Sequence, residues 1–156
     1  MADSHDNLPA LRKAVAVFRD AGCRLIIHAG DFVAPFSARE LSQANCPVKA
    51  VFGNCDGERL GLEEAFRTFG EIKPSPFIWA ENSTRIYLAH LHHQIESLAQ
   101  SNRYEVIIFG HTHRPEIRRV GQALLINPGE TGGWLTGLSS VAIFDPVRLE
   151  ADIIYL

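Results

Sequence analysis

The amino-acid sequence predicts an α/β sandwich, and three observations lead there. Helical spacing and short apolar runs alternate from residue 7 to about residue 109. Three of the runs end in glycine followed at once by a polar residue, at Gly30-Asp31, Gly53-Asn54 and Gly110-His111. Beyond residue 115 the apolar runs are separated by turn dipeptides and carry no helical spacing. A length of 156 residues suits one core, and no repeat, low-complexity tract or Pro/Ser-rich linker interrupts it, so residues 1–156 are expected to form a single domain.

The elements follow in order. Asn7 caps a helix in which Leu11, Ala14, Val15 and Phe18 share one face, and Gly22 stops it. Leu25-Ile26-Ile27 is a strand that closes at Gly30-Asp31. Ser37 and Glu40 have capping-box spacing, which predicts a short helix over 37–43 before Pro47. A strand over 48–52 and a short helix over 63–69 come next. Phe77-Ile78-Trp79 and residues 85–89 flank the turn Glu81-Asn82-Ser83 as a hairpin ended by His90. Residues 94–101 read as helix and 106–109 as a continuous apolar strand. Strands over 116–120, 123–126, 139–144 and 153–156 complete an antiparallel C-terminal third.

Charge and composition narrow the function. Lys and Arg number 15 against 18 Asp and Glu, which argues against a broad basic surface and a stable nucleic-acid partner. Cys23, Cys46 and Cys55 make neither an even disulfide set nor a CxxC pair, so a reducing, cytoplasmic setting is expected. No apolar run approaches ~18 residues and the first residues lack a basic-then-apolar pattern, so neither a membrane span nor export is expected. Glycine-rich phosphate cradles are absent and no nucleotide cofactor is expected, while an assembly of several copies is compatible with the composition.

In open α/β sheets ligands bind beyond the carboxyl ends of the strands, and those ends here carry Asp31, Asn54, His90 and His111. Asp3, His5 and His113 join them. Asp3 with His5, and His111 with His113, stand two residues apart, a spacing from which an extended loop aims two side chains at one centre. All seven offer oxygen or nitrogen and none is a cysteine, which points to a hydrolytic metal centre and away from a structural zinc knuckle. Seven donors exceed one tetrahedral site. Two divalent cations roughly 3.5–4 Å apart, bridged by Asp31, would use them all.

Asp3-x-His5, Gly30-Asp31, Gly53-Asn54-Cys55-Asp56, His90 and Gly110-His111-Thr112-His113 occur in the order of the signature that the chain resembles, that of the calcineurin-like metallophosphoesterases. Gly-Asn-Cys-Asp and the later Asn127-Pro128-Gly129 are similar to the small one-domain bacterial and archaeal phosphodiesterases of that superfamily. The resemblance implies a four-layer α-β-β-α sandwich of two mixed sheets flanked by helices. It assigns one cation to Asp3, His5, Asp31 and His113, and the other to Asp31, Asn54, His90 and His111. It puts Mn first, while the mixed donors also suit Fe, Zn, Ni or Co. Four departures stand out. Only Met1 and Ala2 precede Asp3 where relatives have an apolar strand, so the first strand is expected to be truncated in the recorded sequence. Cys55 takes a position where many members have a leaving-group histidine, Leu91 interrupts the usual His-Gly-His, and Glu130 replaces a serine.

The expected activity is phosphodiester hydrolysis, with a hydroxide held between two cations attacking phosphorus in line with the departing alkoxide. Asn54 is expected to orient the second cation and touch phosphate, Cys55 to line the substrate pocket, and His92 to donate the leaving-group proton. His28 is expected to be a packed strand residue, and Trp134 the anchor of the Gly132-Gly133 turn. The rivals are a non-catalytic protein-interaction scaffold of the same fold and a phosphomonoesterase or nuclease on the same metals.

Overall fold

In the computed structural model, which describes residues 1–156, the strands fall into two stacked layers with helices outside both. β1 (Ile26–His28), β2 (Val48–Val51) and β3 (Gly70–Lys73) form a parallel sheet in that order. β4 (Phe77–Glu81), β5 (Thr84–Leu88), β6 (Val106–Ile108), β7 (Pro115–Val120) and β8 (Ala123–Pro128) form a mixed sheet ordered β4-β5-β6-β8-β7. β9 (Ser140–Asp145) and β10 (Glu150–Tyr155) make an antiparallel pair.

Side chains alternate across each strand, and this alternation divides the core. Ile26 and Val141 pack outward against Leu11 and Phe18 of α1 (Leu8–Asp20) and Phe66 of α3 (Arg59–Phe66). Ala29 and Val51 pack inward against Ile86, Val106, Ile108, Leu124 and Ile126 of the five-stranded sheet. Ile107 and Leu125, on the far face of that sheet, meet Ile95 and Ala99 of α4 (Ile95–Gln100). The result is the expected α-β-β-α sandwich.

Several local readings differ, and β10 begins at Glu150, three residues before its expected start. A short helix α2 (Pro35–Ala38) starts two residues before the predicted one and passes into a 3-10 turn over Arg39–Ala44. Proline at the first helical position starts it, Ser37 Oγ donates to Ala34 O instead of capping, and Glu40 pairs with Arg12. α3 begins four residues early, at Arg59. β3 was not legible, because Gly70-Glu71-Ile72-Lys73 contains one buried apolar residue; parallel pairing to β2 makes it a strand, and Glu71 sits between Lys49 and Lys73.

Residues 1–3 run between two backbones. Met1 N donates to Ile27 O and Ala29 N to Met1 O on one side, while Thr131 N donates to Ala2 O and Gly132 N to Asp3 O on the other. Asp3 is thereby fixed from both sides. Met1 is buried, and desolvation pushes its amino group down to about 5.

Candidate metal centre

The donors gather where β1, β2 and β6 end and the stub at Met1–Asp3 turns. Asp3, His5, Asp31, His111 and His113 all have positive φ, between 43° and 69°. Each such residue costs roughly 1–3 kcal/mol unless its surroundings hold it, and a run of them is typical of a functional site. The surroundings are visible at Asp31. Its N–H and those of Phe32, Val33 and Gly53 all donate to the Asp56 carboxylate, at 2.7–3.0 Å. Two glycines allow the close approach. A Cβ on Gly30, which has φ +92°, would lie 2.7 Å from Gly53 N and 2.9 Å from His90 Nδ1; one on Gly53 would collide with Asp31.

Asp31 Oδ2 lies 3.7 Å from His5 Nε2 and 3.4 Å from His90 Nε2, and its Oδ1 accepts from Cys55 N at 2.8 Å. Asp3 Oδ1 lies 3.6 Å from His113 Nε2 and 4.0 Å from His5 Nε2, while Asp3 Oδ2 accepts from His111 N. His90 Nε2 is 2.8 Å from Asn54 Oδ1. His90 Nδ1 faces Ala29 O at 2.8 Å; a carbonyl only accepts, so the Nδ1 proton points there and Nε2 faces Asp31 and Asn54. On the other side of the cluster, His113 Nδ1 lies 3.2 Å from the buried Glu130 carboxylate, again leaving Nε2 towards the centre.

Burial raises the Asp3 carboxyl to about 6, against the opposing pull of His90, His113 and the His111 N–H. Asp31 resists the same burial: the adjacent His90 imidazole and the hydrogen bond from Cys55 N hold it at about 2. The Cys55 thiol is pushed up to about 11, by desolvation first and by the charge of Asp31 next. A thiol so held stays protonated at neutral pH and is a poor nucleophile.

Asp3, His5, Asp31, His90 and His113 therefore meet, with Asn54 touching His90. Their ligand atoms fall into overlapping groups within 4.8 Å of one another, and one such group includes Cys55. Asp3 Oδ1 and His5 Nε2 are buried without any hydrogen-bond partner. Divalent cations suit these residues, because orphaned carboxylate and imidazole atoms facing one another carry a desolvation cost that a cation removes. His111 stands at the rim, its ring 5.1 Å from that of His90; His92 is exposed and stacked 5.6 Å from His111. Cys55 is also exposed.

Other residues serve the site without having been assigned a place in it. Asp56 was visible only as the end of Gly-Asn-Cys-Asp. Glu130 accepts the N–H groups of Trp134, Leu135 and Thr136 and so anchors the loop over residues 131–137. Asn127 clamps the turn before His113 through Gly110 O and Thr112 Oγ1. His28 is buried, stacked on Phe32 and bonded to Ser4 and Gly30, in keeping with a packed strand residue. Trp134 is 65% exposed and donates through Nε1 to His5 O.

A cluster of carboxylates and imidazoles at the strand ends of an α-β-β-α sandwich places the chain among proteins of metallophosphoesterase type. Residues 1–148 match the model of the calcineurin-like phosphoesterase superfamily domain, and the chain belongs to that superfamily. It is 39% identical over 154 residues to phosphodiesterase MJ0936 of Methanocaldococcus jannaschii, spanning 96% of this chain and 93% of that one. It is 28% identical over 142 residues to phosphodiesterase YfcE of Escherichia coli K12, spanning 82% and 75%. A solved structure described as a novel archaeal phosphodiesterase superposes with a TM-score of 0.93 at 37% identity, over 100% of this chain and 97% of that chain. No helix is long and apolar enough to cross a membrane.

Proposed function

We propose that the chain is a phosphodiesterase that works with two divalent cations. The observation that carries this reading is the meeting of Asp3 Oδ1 and His5 Nε2, both buried and unpartnered, beside Asp31. Asp3, His5, Asp31 and His113 would hold one cation; Asp31, Asn54, His90 and His111 would hold the other. Mn comes first by likeness to the superfamily, with Fe, Zn, Ni and Co suited to the same donors. Such cations, when bound, withdraw charge from the phosphoryl oxygens and make water a usable nucleophile near neutral pH.

The chain's own residues do the rest. Ala29 O and Glu130 orient the imidazoles of His90 and His113. Asn54, at the exposed lip, positions a phosphate oxygen, and Cys55 lines the pocket beside it. His92, stacked outside His111, hands a proton to the departing alkoxide. Three free thiols, Cys23, Cys46 and Cys55, fit a cytoplasmic setting.

The test is turnover of an aryl phosphodiester and the matching monoester, side by side, with Mn and with excess chelator. The reading expects faster cleavage of the diester with Mn and loss of activity with chelator. Hydrolysis that chelator leaves untouched would overturn the metal requirement, and cleavage of the monoester alone would overturn the substrate class.

A further inference from the structure

Trp134 is 65% exposed, yet it is fastened in place. Its indole Nε1 donates to His5 O at 3.0 Å, and its backbone N–H donates to Glu130 Oε1 at 2.8 Å. The same Glu130 oxygen lies 3.2 Å from His113 Nδ1, so one carboxylate holds both a candidate ligand and the exposed ring. The loop that carries Trp134 is tied to the centre at its start as well. Gly132 N donates to Asp3 O, and Asn7 Nδ2 donates to Gly132 O at 2.7 Å. An indole whose polar edge is satisfied while its apolar area stays in water is a pre-set surface for a planar ring, and little ordering is needed when one stacks on it.

Contacts across the centre run in series from Trp134 to His5, Asp31, His90, His111 and His92. Trp134 and His92 thus end the series on opposite sides. A phosphodiester brings two ester arms to phosphorus, whereas a monoester brings one. With His92 at the departing arm, the Trp134 end is left to the arm that stays on phosphorus.

We propose that Trp134 sets substrate specificity by stacking on a planar aromatic group carried by the retained arm. The inference rests on the phosphodiesterase reading and narrows its substrate class to diesters with a nucleobase or aryl ring on the arm that is not cleaved. A monoester has no arm to place there, so the same ring favours diesters over monoesters. Leu135, 78% exposed and held to Glu130 through its own N–H, adds apolar surface to the same loop. A long polyanion fits less well, because the chain carries a formal net charge of -3 and a small diester needs no broad basic surface.

The experiment measures kcat/KM with saturating Mn for three diesters that share a para-nitrophenolate leaving group and differ in the retained arm: methyl, phenyl, or adenosine linked through its primary hydroxyl. In Trp134→Ala the preference for the better aromatic arm over methyl should fall at least ~5-fold, through KM, as loss of a stacked ring does. Trp134→Phe, which keeps a ring, should retain most of that preference. The larger preference in the parent chain tells a nucleobase from a simple aryl group. If Trp134→Ala fails to fold, Trp134→Leu, apolar but without a π face, takes its place. Diphenyl phosphate should also blue-shift the tryptophan emission of the Mn-loaded parent and leave that of Trp134→Phe unmoved, while dimethyl phosphate shifts neither. Rates that fall by one common factor for all three diesters would mean that Trp134 only fastens its loop, and would overturn the proposal. So would a preference that Trp134→Phe does not retain, or a parent emission that diphenyl phosphate leaves unmoved. If no diester is cleaved, the phosphodiesterase reading fails by itself, and the emission shift alone decides whether Trp134 takes the ring.

Discussion

Asp31 combines three demands in one residue: a left-handed backbone, an oxygen towards Cys55 N, and the other oxygen towards His5 and His90. Asp31→Asn should lose nearly all turnover together with bound metal, because an amide supplies no charged oxygen to two cations. Cys55→Ala should keep its metal and much of its activity, since the thiol stays protonated; steady-state rates and metal content decide between them. Glu130→Gln should weaken Mn binding roughly tenfold, as loss of a partner behind a ligating histidine does, and should shift Trp134 emission through the loosened loop. Titration calorimetry and fluorescence read these effects. The candidate donors were legible from residue type and glycine punctuation. Asp56, Glu130 and Asn127 were not, because each acts by accepting or clamping backbone brought near only by folding.

At the scale of elements, the strand ends carried most of the readable information. β1, β2 and β6 are short, apolar and closed by glycine, and each delivers a polar residue to one edge. β3 lacked that signal because its ion-paired Glu71 and Lys73 leave Ile72 alone to mark the pattern. The Gly30 and Gly53 turns pack on each other, which explains why glycine precedes the donors at both strand ends. Gly53→Ala should therefore displace Asp31 with little effect on the helices: far-UV circular dichroism unchanged, Mn affinity reduced at least tenfold. Phe66→Ala, packed edge-on to Phe32, should instead cost about 3–5 kcal/mol of stability in urea unfolding.

At the scale of the molecule, the candidate donors come from segments around residues 3–5, 31, 54, 90 and 111–113, which span both sheets. The centre exists only when the two layers are packed, so cation binding and folding are linked. Saturating Mn at 100 times its dissociation constant should add about 2.7 kcal/mol of stability for each site, lost on adding chelator. The sandwich was readable from the order of runs. The most direct test of the central claim is Mn stoichiometry after equilibrium dialysis at neutral pH. The account predicts two ions for each parent chain and fewer than one for Asp31→Asn; a parent chain that binds no Mn, or binds as much after Asp31→Asn, would contradict it.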